Sequence, residues 1–110
     1  MSVLAVLDDL LFRSKIAAAA GTRPVQFVSG TSVPAAEGPW RLILIDLNLA
    51  SAHALALVRQ LAQAHPSATI IGYCAHVQQA LQAQALAAGC TRVLPKSAFV
   101  QQLPDLLAGS

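Results

Sequence analysis

The stretch Arg41-Leu42-Ile43-Leu44-Ile45-Asp46 sets four consecutive large apolar side chains between a basic residue and an acid. A strand with one wet face alternates apolar and polar residues, whereas an unbroken apolar run suits a strand covered on both faces, as in a parallel sheet flanked by helices. The pattern recurs upstream, where Val3 to Leu7 is continuously apolar and ends in Asp8 and Asp9. Val25 to Val28, Ala68 to Tyr73 and Thr91 to Leu94 read as three further strands.

Helical segments separate these runs. Leu10 to Ala20 stops at Gly21, Ser51 to His65 stops at Pro66, and His76 to Ala88 stops at Gly89, each a usual way to end a helix. Ser29 to Pro39 is rich in Gly, Ser, Thr and Pro and has room for one or two helical turns at most. After Lys96, Ser97 can cap a last short helix that Pro104 interrupts or restarts. Strands alternating with helices, joined by right-handed crossovers, predict a flavodoxin-like α/β fold. The expected architecture is a doubly wound five-stranded parallel sheet of order 2-1-3-4-5, with shortened second and last helices, in a single domain over residues 1–110.

Composition excludes several classes. The 110 residues are 55% hydrophobic and 11% charged, with 22 Ala and 17 Leu, yet no stretch approaches the roughly 18 uninterrupted apolar residues of a membrane span. The N-terminus runs straight into Asp8-Asp9 without the basic and apolar regions of a secretory signal, so a cytoplasmic location is expected. A net charge of +2 is too small to indicate nucleic acid or a membrane surface. Cys74 and Cys90 are too few for a disulfide framework or a zinc site and read as packing residues. Gly72 inside a strand suggests a bulge or a close approach.

In the predicted topology Asp8 and Asp9 close the first strand, Asp46 the third, Cys74-Ala75 the fourth and Lys96 the fifth, so all converge on one sheet edge. Carboxylates brought together repel one another, and a hard divalent cation such as Mg²⁺ relieves the repulsion. A lysine there offers a point charge to a phosphoryl oxygen, or an ion pair to Asp46 at rest. The plainer alternative is that these acids are solvated loop residues or helix caps. No Gly-x-Gly-x-x-Gly fingerprint, P-loop, flavodoxin phosphate loop, Asp-x-His-x-x-Gly cobalamin element or Ser-His-Asp spacing is present.

Asp8-Asp9, the segment Leu42 to Leu49, the following Leu55 to Leu61, and Leu94-Pro95-Lys96 together resemble the receiver domain of two-component response regulators, from Val3 to about Leu107. The resemblance implies a signalling module rather than an enzyme. Asp46 would accept a phosphoryl group from a histidine kinase. Asp8, Asp9, Asp46 and the backbone carbonyl of Asn48 would bind Mg²⁺, and Lys96, Cys74 and Ala75 would contact the phosphoryl group. The sequence departs from the family pattern in Cys74 for Ser or Thr, Val93 for the strand-five aromatic, Ser97 for the Pro after the lysine, Ala50 for the Pro after the acceptor, and His53-Ala54 for Asp-Gly. These changes leave open a second reading, a pseudo-receiver that works as an interaction or dimerisation module without phosphotransfer. Either form would stand alone, acting on a kinase or another signalling protein, or as a homodimer.

Charge distribution points to a surface for such contacts. Asp8, Asp9, Asp46 and Lys96 sum to −2 and the other eight charged residues to +4, while Gln60 to Thr91 carries no formal charge. A neutral, Ala-rich face loses little desolvation energy on being covered. Val77, Gln78, Leu81 and Gln82 are therefore the expected partner surface.

Overall fold

A computed structural model describes residues 2–30, 39–49, 53–76 and 78–108. The apolar runs form the five strands β1 (Ser2–Val6), β2 (Val25–Val28), β3 (Trp40–Asp46), β4 (Thr69–Cys74) and β5 (Arg92–Pro95). All pairings are parallel, in the order β2-β1-β3-β4-β5. The helices are α1 (Leu10–Ala20), α2 (Ala54–Ala64), α3 (Gln79–Ala88) and α4 (Lys96–Ala108).

Burial on both faces explains the unbroken runs. Leu42, Leu44, Ile71 and Tyr73 pack with Phe12, Ile16, Phe99 and Leu103 in the layer of α1 and α4. Ile43, Ile45 and Ile70 pack with Val58, Leu61, Ala85 and Ala88 in the layer of α2 and α3. Successive residues of β3 thus feed two separate cores, so from Leu42 to Ile45 the strand has no position for a polar side chain.

Gly72 marks a close approach rather than a bulge: β4 runs in regular register there, and a Cβ would lie 2.9 Å from Leu47 Cδ1 and 3.1 Å from Cys90 Sγ. Gly89 ends α3 at φ 130° against Ala62 of α2, where a Cβ would overlap the alanine's own.

The last helix corrects the sequence reading. It is not short: α4 runs 13 residues, the longest of the described helices, and passes through Pro104 without a break. Ser97 lies inside its first turn and is not the cap. Proline removes one helical hydrogen bond, but Phe99, Leu103 and Leu107 recur every four residues and are all buried against the sheet, and their burial outweighs that loss. The shortened second helix was expected within residues 29–39, of which 31–38 lie outside the described residues.

Candidate functional site

Asp46 is the last residue of β3, in the middle of the sheet, and its side chain is only 7% exposed. Strand alternation puts it on the face of Leu42 and Leu44, beside Tyr73, its register partner on β4. One carboxylate oxygen of Asp46 accepts from the Asn48 N–H at 2.8 Å, and the Asn48 side-chain oxygen accepts from the Ala75 N–H at 2.9 Å. These two bonds join the end of β3 to the loop after β4. The loop is also held internally, by the Cys74 thiol donating to the His76 carbonyl at 3.4 Å.

The acid pair lies in the loop between β1 and α1, and its two members do different work. Asp9 is the N-cap of α1: one carboxylate oxygen accepts from the N–H groups of Leu11 at 2.9 Å and Phe12 at 3.3 Å. Two otherwise orphaned amides are satisfied in this way, with negative charge at the positive end of the helix. Asp8 instead accepts from the Gly30 N–H at 3.2 Å, tying β1's exit to the end of β2. The capping alternative thus holds for Asp9, and both acids still face Asp46 closely enough to act on its charge.

Burial pushes the Asp46 carboxyl above the usual aspartate range. The Asn48 amide and the Lys96 ammonium oppose that shift, and the negative charges of Asp9 and Asp8 add to it. Burial, with Asp46 second, also raises the Cys74 thiol, which argues against a reactive thiolate. Burial raises Cys90 to about 11, in keeping with a packing role.

Lys96 is where β5 ends and α4 begins, but the expected ion pair with Asp46 is not formed. Its ammonium lies 5.4 Å from the centroid of the Phe12 ring, a cation–π contact that leaves the charge near the acids without joining them. Among the described residues no group of three or more His, Cys, Asp or Glu side chains is disposed to hold a metal ion.

Two features escaped sequence reasoning. Phe12, Tyr73 and Phe99, from α1, β4 and α4, form a stack beneath the site, with centroids 4.8 Å apart for Phe12–Tyr73 and 4.3 Å for Tyr73–Phe99. The Tyr73 hydroxyl is buried there without a hydrogen-bond partner. A second hydroxyl, beyond that of Thr69, within the run of β4 was the available signal. Leu10 and Leu11, 72% and 71% exposed, crown α1 beside Asp9 and are two of the three exposed large hydrophobic residues among the described residues.

The expected partner surface is placed only in part. Gln78 and Gln79 are exposed at the start of α3, Leu81 turns inward against the core, and Gln82 is half-buried. A 390 Å³ depression on α3 is lined by Gln79, Gln82, Ala83 and Leu86. Val77 lies outside the described residues. No helix among the described residues is long and apolar enough to cross a membrane.

No protein-family model and no curated protein matches the chain. Solved structures do. A response regulator from Burkholderia pseudomallei, described with a phosphorylated aspartic acid, a calcium ion and citrate, superposes with a TM-score of 0.79 at 22% identity, over 96% of this chain and 65% of that one. This chain therefore spans just under two thirds of that protein. The BeF3-activated DrrB receiver domain, DrrB being from Thermotoga maritima, gives 0.80 at 15% identity over 97% of both chains. A Burkholderia thailandensis protein assigned to pilus assembly (cpaE) gives 0.73 at 20% identity, over 99% of this chain and 96% of that one. With the acids, the asparagine and the lysine gathered at the carboxyl edge of a 2-1-3-4-5 sheet, the chain has the fold of a response-regulator receiver domain.

Proposed function

We propose that this chain is a single receiver-like signalling domain that accepts a phosphoryl group on Asp46 and acts through protein contact rather than as an enzyme. One observation carries the reading: Asp46 ends the central strand with Asp8, Asp9 and Lys96 all close enough to act on its charge. In the transfer, a carboxylate oxygen of Asp46 attacks the phosphorus of a phosphohistidine on a kinase. The P–N bond breaks, an acyl phosphate forms, and the departing imidazole nitrogen keeps the electron pair and takes up a proton.

The donor set fits a hard cation in kind: it is all oxygen, and Asp9 and Asp8 lie close enough to act on the charge of Asp46. Because no three acids among the described residues are disposed to hold a metal together, the ion would rest on one or two carboxylates among Asp8, Asp9 and Asp46, the Asn48 carbonyl and water, the mode typical of Mg²⁺. Bound Mg²⁺ supplies charge neutralisation for the phosphoryl oxygens. Lys96, held over Phe12 and not locked to Asp46, is free to turn its ammonium to the same oxygens. Cys74 and Ala75 reach them only by exchanging their present bonds to His76 and Asn48. The exposed Leu10 and Leu11 put apolar contact surface for a partner protein beside the acceptor.

A second reading, an interaction or dimerisation module without phosphotransfer, draws on the backbone amides that engage Asp8, Asp9 and Asp46. Intact-mass measurement after incubation with acetyl phosphate and Mg²⁺ separates the two. The acceptor reading expects one added phosphoryl group on the wild type and none on Asp46→Asn. An unchanged wild-type mass at every Mg²⁺ level removes that reading and leaves the module.

A further inference from the structure

The opposite edge of the sheet carries the opposite charge. Arg41 stands near the start of β3, Thr69 begins β4 and Arg92 begins β5, so three neighbouring strands bring two guanidinium groups and a hydroxyl to one rim. They line a 360 Å³ cavity with Gln102 and Asp105 of α4, over a floor of Leu42 and Leu106. Arg41 is held at the cavity by a 3.5 Å bond to the Leu107 carbonyl at the end of α4. Arg23 lies near enough that its positive charge, after burial, weakens the hold of Arg41 on its proton.

Two facts mark this cavity as more than a solvated rim. Two arginines line it, and neither Arg41 nor Arg92 is ion-paired with Asp105, although all three line the same space. Asp105 sits in the last turn of α4, where the helix dipole disfavours a carboxylate, and no ion pair offsets that cost. A ligand with an anionic end and a hydroxyl-bearing end answers both. Its phosphoryl group takes the planar donor forks of the arginines, and its hydroxyls donate to Asp105 and bond to Gln102.

We infer that the cavity between Arg41, Thr69, Arg92 and α4 is a binding site for a small organic phosphate of the sugar-phosphate class. Its volume is at the lower end of the few hundred Å³ usual for small-molecule sites. The site lies at the sheet edge remote from Asp46 and is independent of whether Asp46 accepts a phosphoryl group.

Amide chemical shifts of the full chain, titrated with ribose 5-phosphate at constant ionic strength, test the site. Saturable shifts are expected at Thr69, Arg92, Gln102 and Leu106, with the amides of Asp8, Asp9 and Asn48 unmoved. Arg92→Gln, at an exposed position with no part in the core, weakens this binding about tenfold, the loss of one charge-assisted pair. Asp105→Ala, also exposed, weakens ribose 5-phosphate but tightens inorganic phosphate, since it removes an acceptor and a repulsive charge together. Non-saturating shifts, shifts reproduced by sodium chloride, or equal binding by wild type and Arg92→Gln each overturn the site. Weakening of both probes by Asp105→Ala overturns the assigned ligand class.

Discussion

Tyr73 and Asp46 are register partners on β4 and β3, yet the buried phenol hydroxyl bonds neither to the aspartate beside it nor to anything else. The ring is held instead by stacking against Phe12 and Phe99. A buried hydroxyl without a partner costs desolvation energy that no bond returns. Tyr73→Phe keeps the stack and removes that cost, so urea unfolding is expected to show equal stability or a gain of about 1 kcal/mol. A loss of that size would mean that the hydroxyl has a partner in solution.

Asp46 makes stability depend on pH. Burial raises its carboxyl above the usual range, so the folded chain holds this proton more tightly than the unfolded chain does. Its contribution therefore becomes unfavourable as pH rises from the ordinary aspartate value through the raised one. Asp46→Asn keeps an acceptor for the Asn48 amide and removes the charge. The variant is expected to match the wild type near about pH 3 and to exceed it near about pH 7 in urea midpoint. An advantage that shrinks as pH rises would reverse the assigned sign.

The sheet was legible because burial on both faces forces unbroken apolar runs, and both ends of β2, at Val25 and Val28, could be read directly from the sequence. The convergence of Asp8, Asp9, Asp46 and Lys96 followed from strand order. What each side chain does there was less legible. Whether Asp9 caps α1 or turns to Asp46 depends on where the first helical amides point, and whether Lys96 pairs with Asp46 depends on Phe12 lying beneath it. Pro104 misled for a related reason. Proline marks a break in local propensity, while the deciding term, burial of Phe99, Leu103 and Leu107, comes from a sheet distant in sequence.

Pro104 gives that argument a number. It is exposed, so Pro104→Ala loses no packing while restoring a helical amide opposite the Val100 carbonyl. A gain of up to about 3 kcal/mol is expected by denaturant unfolding, with no fall in helical circular dichroism. Destabilisation would show that the ring shapes α4 in a way the chain depends on.

Gly21 and Gly89 both have positive φ, at 62° and 130°, but only one is crowded. Alanine at either position carries backbone strain of about 1–3 kcal/mol. At Gly21 nothing lies within 4 Å of the new methyl, whereas at Gly89 it would meet the Ala62 side chain and push α3 from α2. Gly89→Ala is therefore expected to lower the thermal midpoint clearly more than Gly21→Ala. Adding Ala62→Gly to Gly89→Ala should recover part of the difference, and absence of any recovery would refute the contact as its cause.

Asp9 is where the two functional readings part most cleanly. As the cap of α1 it accepts two backbone amides, a role that asparagine fills nearly as well and alanine does not. As a metal ligand its value is its charge, which asparagine lacks. Asp9→Ala is expected to cost about 1 kcal/mol of stability in the absence of metal, and Asp9→Asn much less. If the carboxylate also serves a cation, Asp9→Asn weakens Mg²⁺ binding despite its intact fold, and Mg²⁺ raises the wild-type unfolding midpoint more than the variant's. Equal Mg²⁺ responses in wild type and Asp9→Asn would assign Asp9 to the cap alone and leave any cation to Asp8, Asp46 and the Asn48 carbonyl.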